Sequence, residues 1–201
     1  MFRFMSRHGL SYRKVHYERR GNINMEQVDL FLTEIADAVL QYGDDRIVNM
    51  DETFVTTRNL CTRVIGLKAK ETIKVTDEKL NIKEGTTFIG TVSMDPNNKI
   101  PLGVIAKGKT TRCEKKYGTE NMDEFITHSN SGWMTPAVMK AYLNWLSKKM
   151  GNGPFVLILD VYRAHIEKSV RDHASKLGIK LIFVPACATG IYQPLDRRLY
   201  G

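Results

Sequence analysis

The sequence predicts an α/β domain with a mixed sheet flanked by helices, and three stretches carry that expectation. FVLILD, residues 155 to 160, is five apolar residues ended by one carboxylate and entered through Gly151-Asn152-Gly153-Pro154. A run that short and that apolar reads as a strand buried on both faces. IKLIFVP, residues 179 to 185, is a second buried strand, and the stretch between the two carries Ile166, Val170, Ala174 and Leu177 at helical spacing before Gly178. Strand, helix and strand over that length make a βαβ unit with parallel strands and a right-handed crossover. TTFIGTVSM (86 to 94) and IPLGVIAKG (100 to 108) flank the turn signal DPNN and read as a hairpin ahead of it.

Bulk properties narrow the class. The 201 residues suit one substantial domain with a small appendage, and 42% hydrophobic content is enough for a core. A formal net charge of +8 and a pI near 9.4 point to a polyanionic partner, nucleic acid before membrane. No apolar run approaches the roughly 20 residues that a bilayer demands. MFRFMSRHGL lacks the apolar region of a secretory signal. Cys61, Cys113 and Cys187 are odd in number and contain no CxxC, so they read as reduced thiols of an intracellular protein, without disulfide framework or zinc site.

Taken in order, residues 1 to 20 carry Arg3, Arg7, His8, Arg13, Lys14, Arg19 and Arg20 against the single acid Glu18. In RHGLSYRKVHYER, Gly9 can turn the chain and Ser11 can cap a following helix, a helix-turn-helix-like signal. Asn24 then precedes Val28, Phe31, Leu32, Ile35 and Val39 on one helical face, closed by Gly43, a helix that packs on the main domain or links it to the basic head. RIVNMDETFV (46 to 55) and CTRVIG (61 to 66) are β-type runs, and 113 to 134 reads as a long connection. Thr135-Pro136 opens a helix with Val138, Met139, Tyr142, Leu146 and Met150 buried. Trp133, just before it, reads first as a packing anchor and second as an aromatic that stacks on a base or sugar. Gln193-Pro194-Leu195-Asp196 opens a last helix.

Antiparallel strands, then a helix, then a parallel βαβ, is the pattern of a ribonuclease H-like (retroviral-integrase-type) domain, here with a short helical N-terminal segment. In that arrangement the first strand is central and neighbours the fourth. Asp51 would then lie beside Asp160, and Asp196 would complete an oxygen-rich site. Such a cluster suits Mg²⁺ or Mn²⁺, two ions of which can activate a water or 3′-hydroxyl and stabilise a leaving oxygen. Asp51 and Glu52 are neighbours on a strand and point to opposite faces, so only one of them is expected to face the site. His165, close after Asp160, reads either as a group that assists at the site or touches phosphate, or as a helix-opening histidine satisfied by local backbone. Arg7, Arg13, Lys14, Arg19 and Arg20, with Lys107 and Lys109 at the strand margins, are the candidate phosphate contacts.

The same blocks resemble the DDE superfamily endonucleases of pogo and Tigger-type, mariner-related transposases, whose domesticated relatives include centromere protein B and jerky. NMDET is similar to the first-acid block, TVSMDPNNKIPLGVIAKGKT to the strands that follow, SGWMT to the block before the helix, LILDVYRAH to the second-acid block and FVPACATGIYQPLD to the third. Val161, Cys187 and Gly190 depart from the Asn, Asn and Ser common at those places. The resemblance implies Asp51, Asp160 and Asp196 as catalytic metal ligands and a Mg²⁺-dependent endonuclease and strand transferase. It implies double-stranded DNA, both transposon ends and target, as partner, a nuclear location, no membrane, and compatibility with a homodimer. It divides the chain into 1–22, the end of a helix-turn-helix DNA-binding domain; 23–45, a linking helix; and 46–201, a catalytic domain truncated at its C-terminal end. A domesticated, non-catalytic DNA-binding protein is the alternative, and a nuclease of RNA hybrids or junctions a third reading.

Overall fold

In the computed structural model, which describes residues 2–14, 22–56, 63–67, 85–118 and 123–195 (backbone only for 2, 12–14 and 63–67), the sheet stands where the sequence places it. In chain order the elements are α1 (Phe2–Arg7), β1 (Leu10–Lys14), α2 (Met25–Tyr42), β2 (Ile47–Thr56), β3 (Arg63–Leu67), β4 (Gly85–Ser93), β5 (Gly103–Lys107), β6 (Ile126–Ser129), α3 (Pro136–Lys149), β7 (Phe155–Leu159), α4 (Arg163–Ile166), α5 (Lys168–Lys176), β8 (Ile179–Phe183) and α6 (Thr189–Tyr192). They fall into two units, residues 1–20 with 56–85, and 21–55 with 86–201.

The larger unit holds a six-stranded sheet of order β6-β5-β4-β2-β7-β8. β4 and β5 are antiparallel, while β2 with β7, β7 with β8, and β5 with β6 are parallel. Every residue of β7 is buried, as an apolar run between two paired neighbours requires. Strand alternation divides the core. Val48, Met50, Phe155, Leu157 and Leu159 pack with Met139, Tyr142, Leu143 and Leu146 of α3 and with Val170 and Ala174 of α5. Ile47, Val156, Ile158 and Ile182 pack with Val28, Phe31 and Ala38 of α2.

Helix termini follow their local chemistry. The Asn24 side chain accepts from the N–H groups of Glu26 and Gln27, and Gly43, at φ +84°, ends α2 by donating to Val39. Thr135 caps α3 by accepting from Val138 N–H at 3.2 Å, with Pro136 in the first turn.

The structure departs from the sequence reading in several places. Gly9 does turn the chain, at φ +61°, but a strand follows it rather than a helix. In the smaller unit β1 pairs antiparallel with β3, Leu10 opposite Leu67 and Lys14 opposite Arg63. The alternation Leu10-Ser11-Tyr12-Arg13 has a period of two, which long-range pairing rewards over the cap signal of Ser11. Of the two roles open to α2, packing on the main domain or linking it to the basic head, its contacts show the first, and the smaller unit draws on residues 56–85. Within the stretch read as a long connection, Thr111–Lys116 forms 3₁₀ turns and β6 adds an edge strand. Ile126-Thr127-His128-Ser129 has a single apolar residue, so hydrophobic periodicity could not reveal it. The helix expected between β7 and β8 is broken at Glu167, whose ψ of 134° is extended.

Cys187 stands at φ +65°, in the left-handed region that costs most residues but suits Asn. That position is one where the resembling family commonly carries Asn, which gives the departure a physical cost. Cys187→Asn is expected to stabilise the chain by about 0.5–1 kcal/mol, read as a higher urea midpoint at unchanged slope. A lower midpoint would contradict the assignment of strain to this residue.

Candidate active site

Parallel pairing of β2 with β7 sets the site. Ile47 lies opposite Val156 and Asn49 opposite Ile158. Carrying that register two residues further (49 + 2 and 158 + 2) brings Asp51 level with Asp160. Asn49 fastens the two strands from within, its buried amide donating to the Ile158 carbonyl at 3.1 Å. At the carboxyl end of β7, where open α/β sheets place their ligands and β2 runs on past its partner, a cleft of about 430 Å³ is lined by Asp51, Glu52, Thr87, Trp133, Met134, Asp160 and Tyr162. Its size is that of a ligand site.

Asp51 is 7% exposed and shares its strand face with Asn49. Glu52 lies on the other face and reaches the same cleft, so both acids border it. The expectation that only one of the pair faces the site does not hold. The agent that recruits Glu52 is His165, on the short helix α4 directly after Asp160. Fully buried, His165 donates from Nδ1 to Asp160 Oδ1 at 2.8 Å and from Nε2 to Glu52 Oε1 at 3.0 Å. Burial alone would lower its pKa. The hydrogen bonds and charges of Asp160 and Glu52 more than offset that, pushing it up to about 10. The ring is therefore an imidazolium, donor at both nitrogens, and its contacts are carboxylates rather than backbone alone.

Glu52, Asp160 and His165 each offer one ligand atom, all within 4.8 Å of one another. Both imidazole nitrogens are engaged with the acids, so the donors left for a cation are carboxylate oxygens. Two carboxylates face the imidazolium, and Asp51 borders the same cleft. A hard divalent ion fits that donor set, and a soft or imidazole-seeking one does not.

The other expected residues are distributed as follows. Asp196 lies outside the described residues, but Gln193, three positions earlier, is 1% exposed and donates to the Met50 carbonyl at 3.4 Å. That bond joins the third block to the strand of Asp51, and Pro194 and Leu195 are already helical. Arg7 is exposed at the end of α1 in the smaller unit. Arg13 and Lys14 belong to β1 by their backbone, and Arg19 and Arg20 lie outside the described residues. Lys107 and Lys109 are exposed in the larger unit. Trp133 is no packing anchor: it is 47% exposed on the cleft, while the half-buried Trp145 packs against Phe125 and Tyr142.

Residues 83–200 match the family described as DDE superfamily endonuclease. Tigger transposable element-derived protein 4 of Mus musculus is 28% identical over 198 residues, or 97% of this chain. The chain spans 36% of that relative's length. Among solved structures, the Mos1 strand transfer complex has a TM-score of 0.55 at 14% identity, over 99% of this chain and 53% of that one. The Mos1 transposase paired-end complex with left transposon end has a TM-score of 0.52 at 14% identity, over 99% and 54%. Likeness at that identity is one of fold, and the mixed six-stranded sheet flanked by helices is the ribonuclease H-like fold.

A buried imidazolium makes stability depend on pH. Its pKa rises from an ordinary 6.5 to about 10 on folding, so its contribution is complete below pH 6.5 and lost as pH rises through 10. In chelator-containing buffer, the stability gap between wild type and His165→Gln is expected to shrink steadily across that window. Urea titrations that give a constant or widening gap would contradict the bridge.

Proposed function

The chain belongs to the DDE superfamily endonucleases, and from that premise we propose that it cuts double-stranded DNA at transposon ends and joins the freed 3′ end to target DNA. The observation that supports the reading is a single cleft bordered by both Asp51 and Asp160, next to the parallel pairing of β2 with β7. Asp51 and Asp160, with Asp196, would hold two Mg²⁺ or Mn²⁺ ions. When bound, such ions supply an activated water or 3′-hydroxyl and neutralise the leaving oxygen of the phosphodiester.

The chain's own groups do the rest. His165 holds Asp160 Oδ1, so the carboxylate that would ligate a cation is oriented before substrate arrives. Glu52 balances the imidazolium from the far side. Gln193 ties the start of the helix that bears Asp196 to Met50, next to Asp51. Lys107 and Lys109, with Arg7, Arg13, Lys14, Arg19 and Arg20, hold backbone phosphates. The net charge of +8 supports that partner, as do the DNA complexes of the Mos1 relative. Joining two transposon ends would need two copies of the chain, acting in the nucleus. The pairing of acids in one cleft supports catalysis over a domesticated, non-catalytic binding role.

Supercoiled plasmid with Mn²⁺ tests the reading. Wild type is expected to nick it, and Asp160→Asn or Asp51→Asn to do so at least about 100-fold more slowly, since metal stabilisation of several kcal/mol is at stake at 1.36 kcal/mol per tenfold. Nicking at equal rates by wild type and both variants would overturn it.

A further inference from the structure

Trp133 is held in a way that packing does not explain. Its backbone is anchored from three directions. Ser129 Oγ donates to the Trp133 carbonyl at 2.8 Å, and Trp133 N–H donates to Ser131 Oγ at 3.4 Å. The preceding carbonyl, of Gly132, accepts from the buried Thr87 hydroxyl at 2.6 Å. Gly132 itself sits at φ +79°, and a Cβ there would stand 3.0 Å from the Lys107 Cβ, so the turn admits only glycine without displacement. A loop this constrained still leaves its largest side chain 47% exposed. One face of the indole is backed by Phe54, the rings 4.9 Å apart and 25° from parallel. Tyr162, also on the cleft and 41% exposed, is braced edge-on by the His165 ring at 5.4 Å.

The cleft is thus lined both by carboxylates and by braced, exposed aromatics. Phosphates suit the first through a cation. The part of DNA that suits the second is a nucleobase, neutral and with a π face, which can reach an aromatic only after leaving the duplex stack. Building on the function proposed above, we propose that Trp133, with Tyr162 bordering the same cleft, is a stacking site for an unpaired nucleobase next to the phosphodiester that is cut. Phe54 and the Ser129–Thr87 bonds pre-organise the indole, so little ordering cost remains at binding.

The test uses duplexes that are either blunt or carry three unpaired terminal nucleotides with 2-aminopurine among them, in Ca²⁺ buffer with the full chain. Wild type is expected to bind the open-ended duplex about 5- to 100-fold more tightly than the blunt one, the range of one stacked base, and to quench the 2-aminopurine. Trp133→Phe should keep most of both effects. Trp133→Ala should lose the preference and the quenching while binding the blunt duplex as wild type does, with melting temperature as the folding control. An undiminished preference and quenching in Trp133→Ala would overturn the stacking site and leave the endonuclease reading standing. No binding of any DNA by wild type would overturn both. A change of oligomeric state in Trp133→Ala, with wild-type DNA preference, would assign the aromatic wall to a second copy of the chain and overturn the proposal.

Discussion

The parallel pairing of β2 with β7 is the constraint on which the site depends. Only three residue pairs, Ile47–Val156 to Asn49–Ile158, set it, yet a slip of one residue would move every side chain of β2 to the other face. Such a slip would put Met50 in place of Asp51 and expose the apolar set that fills the core. Hydrophobic burial and site geometry are therefore enforced by one register. The Asn49 amide, buried between the strands and bonded to Ile158, adds a polar contact that other registers would leave unmade.

Beyond the sheet, the electrostatics turn on His165. Carboxylates gathered at one strand end repel one another, and desolvation adds to the cost. An imidazolium between Glu52 and Asp160 offsets both, and does so from full burial. It also holds Asp160 Oδ1 in place. Placement on α4, five residues after Asp160, lets a single tight turn supply both the acid and the cation that orients it.

Much of this was legible beforehand because it rests on local or periodic signals. The FVLILD run, the DPNN turn, and the caps at Asn24, Gly43 and Thr135 each carry their own physical cause within a few residues. The adjacency of Asp51 and Asp160 followed from the order of strand types. What escaped depends on contacts between distant residues. Leu10–Lys14 becomes a strand only because Arg63–Leu67 pairs with it. Glu52 joins the site only because His165, 113 residues away, reaches it. Trp133 looked like an anchor because nothing in its neighbourhood told that Trp145 takes the packing role and that Phe54 backs the indole.

The proposal with the most at stake is that Asp51, within β2, and Asp160, just past β7, hold one divalent-metal site. Calorimetric titration of Mn²⁺ into wild type, Asp51→Asn and Asp160→Asn, with circular dichroism to verify folding, tests it without requiring turnover or DNA. Saturable binding by wild type that is weakened in each variant by at least about tenfold, or 1.4 kcal/mol, is the result predicted. Binding of equal strength in all three folded proteins would contradict the account.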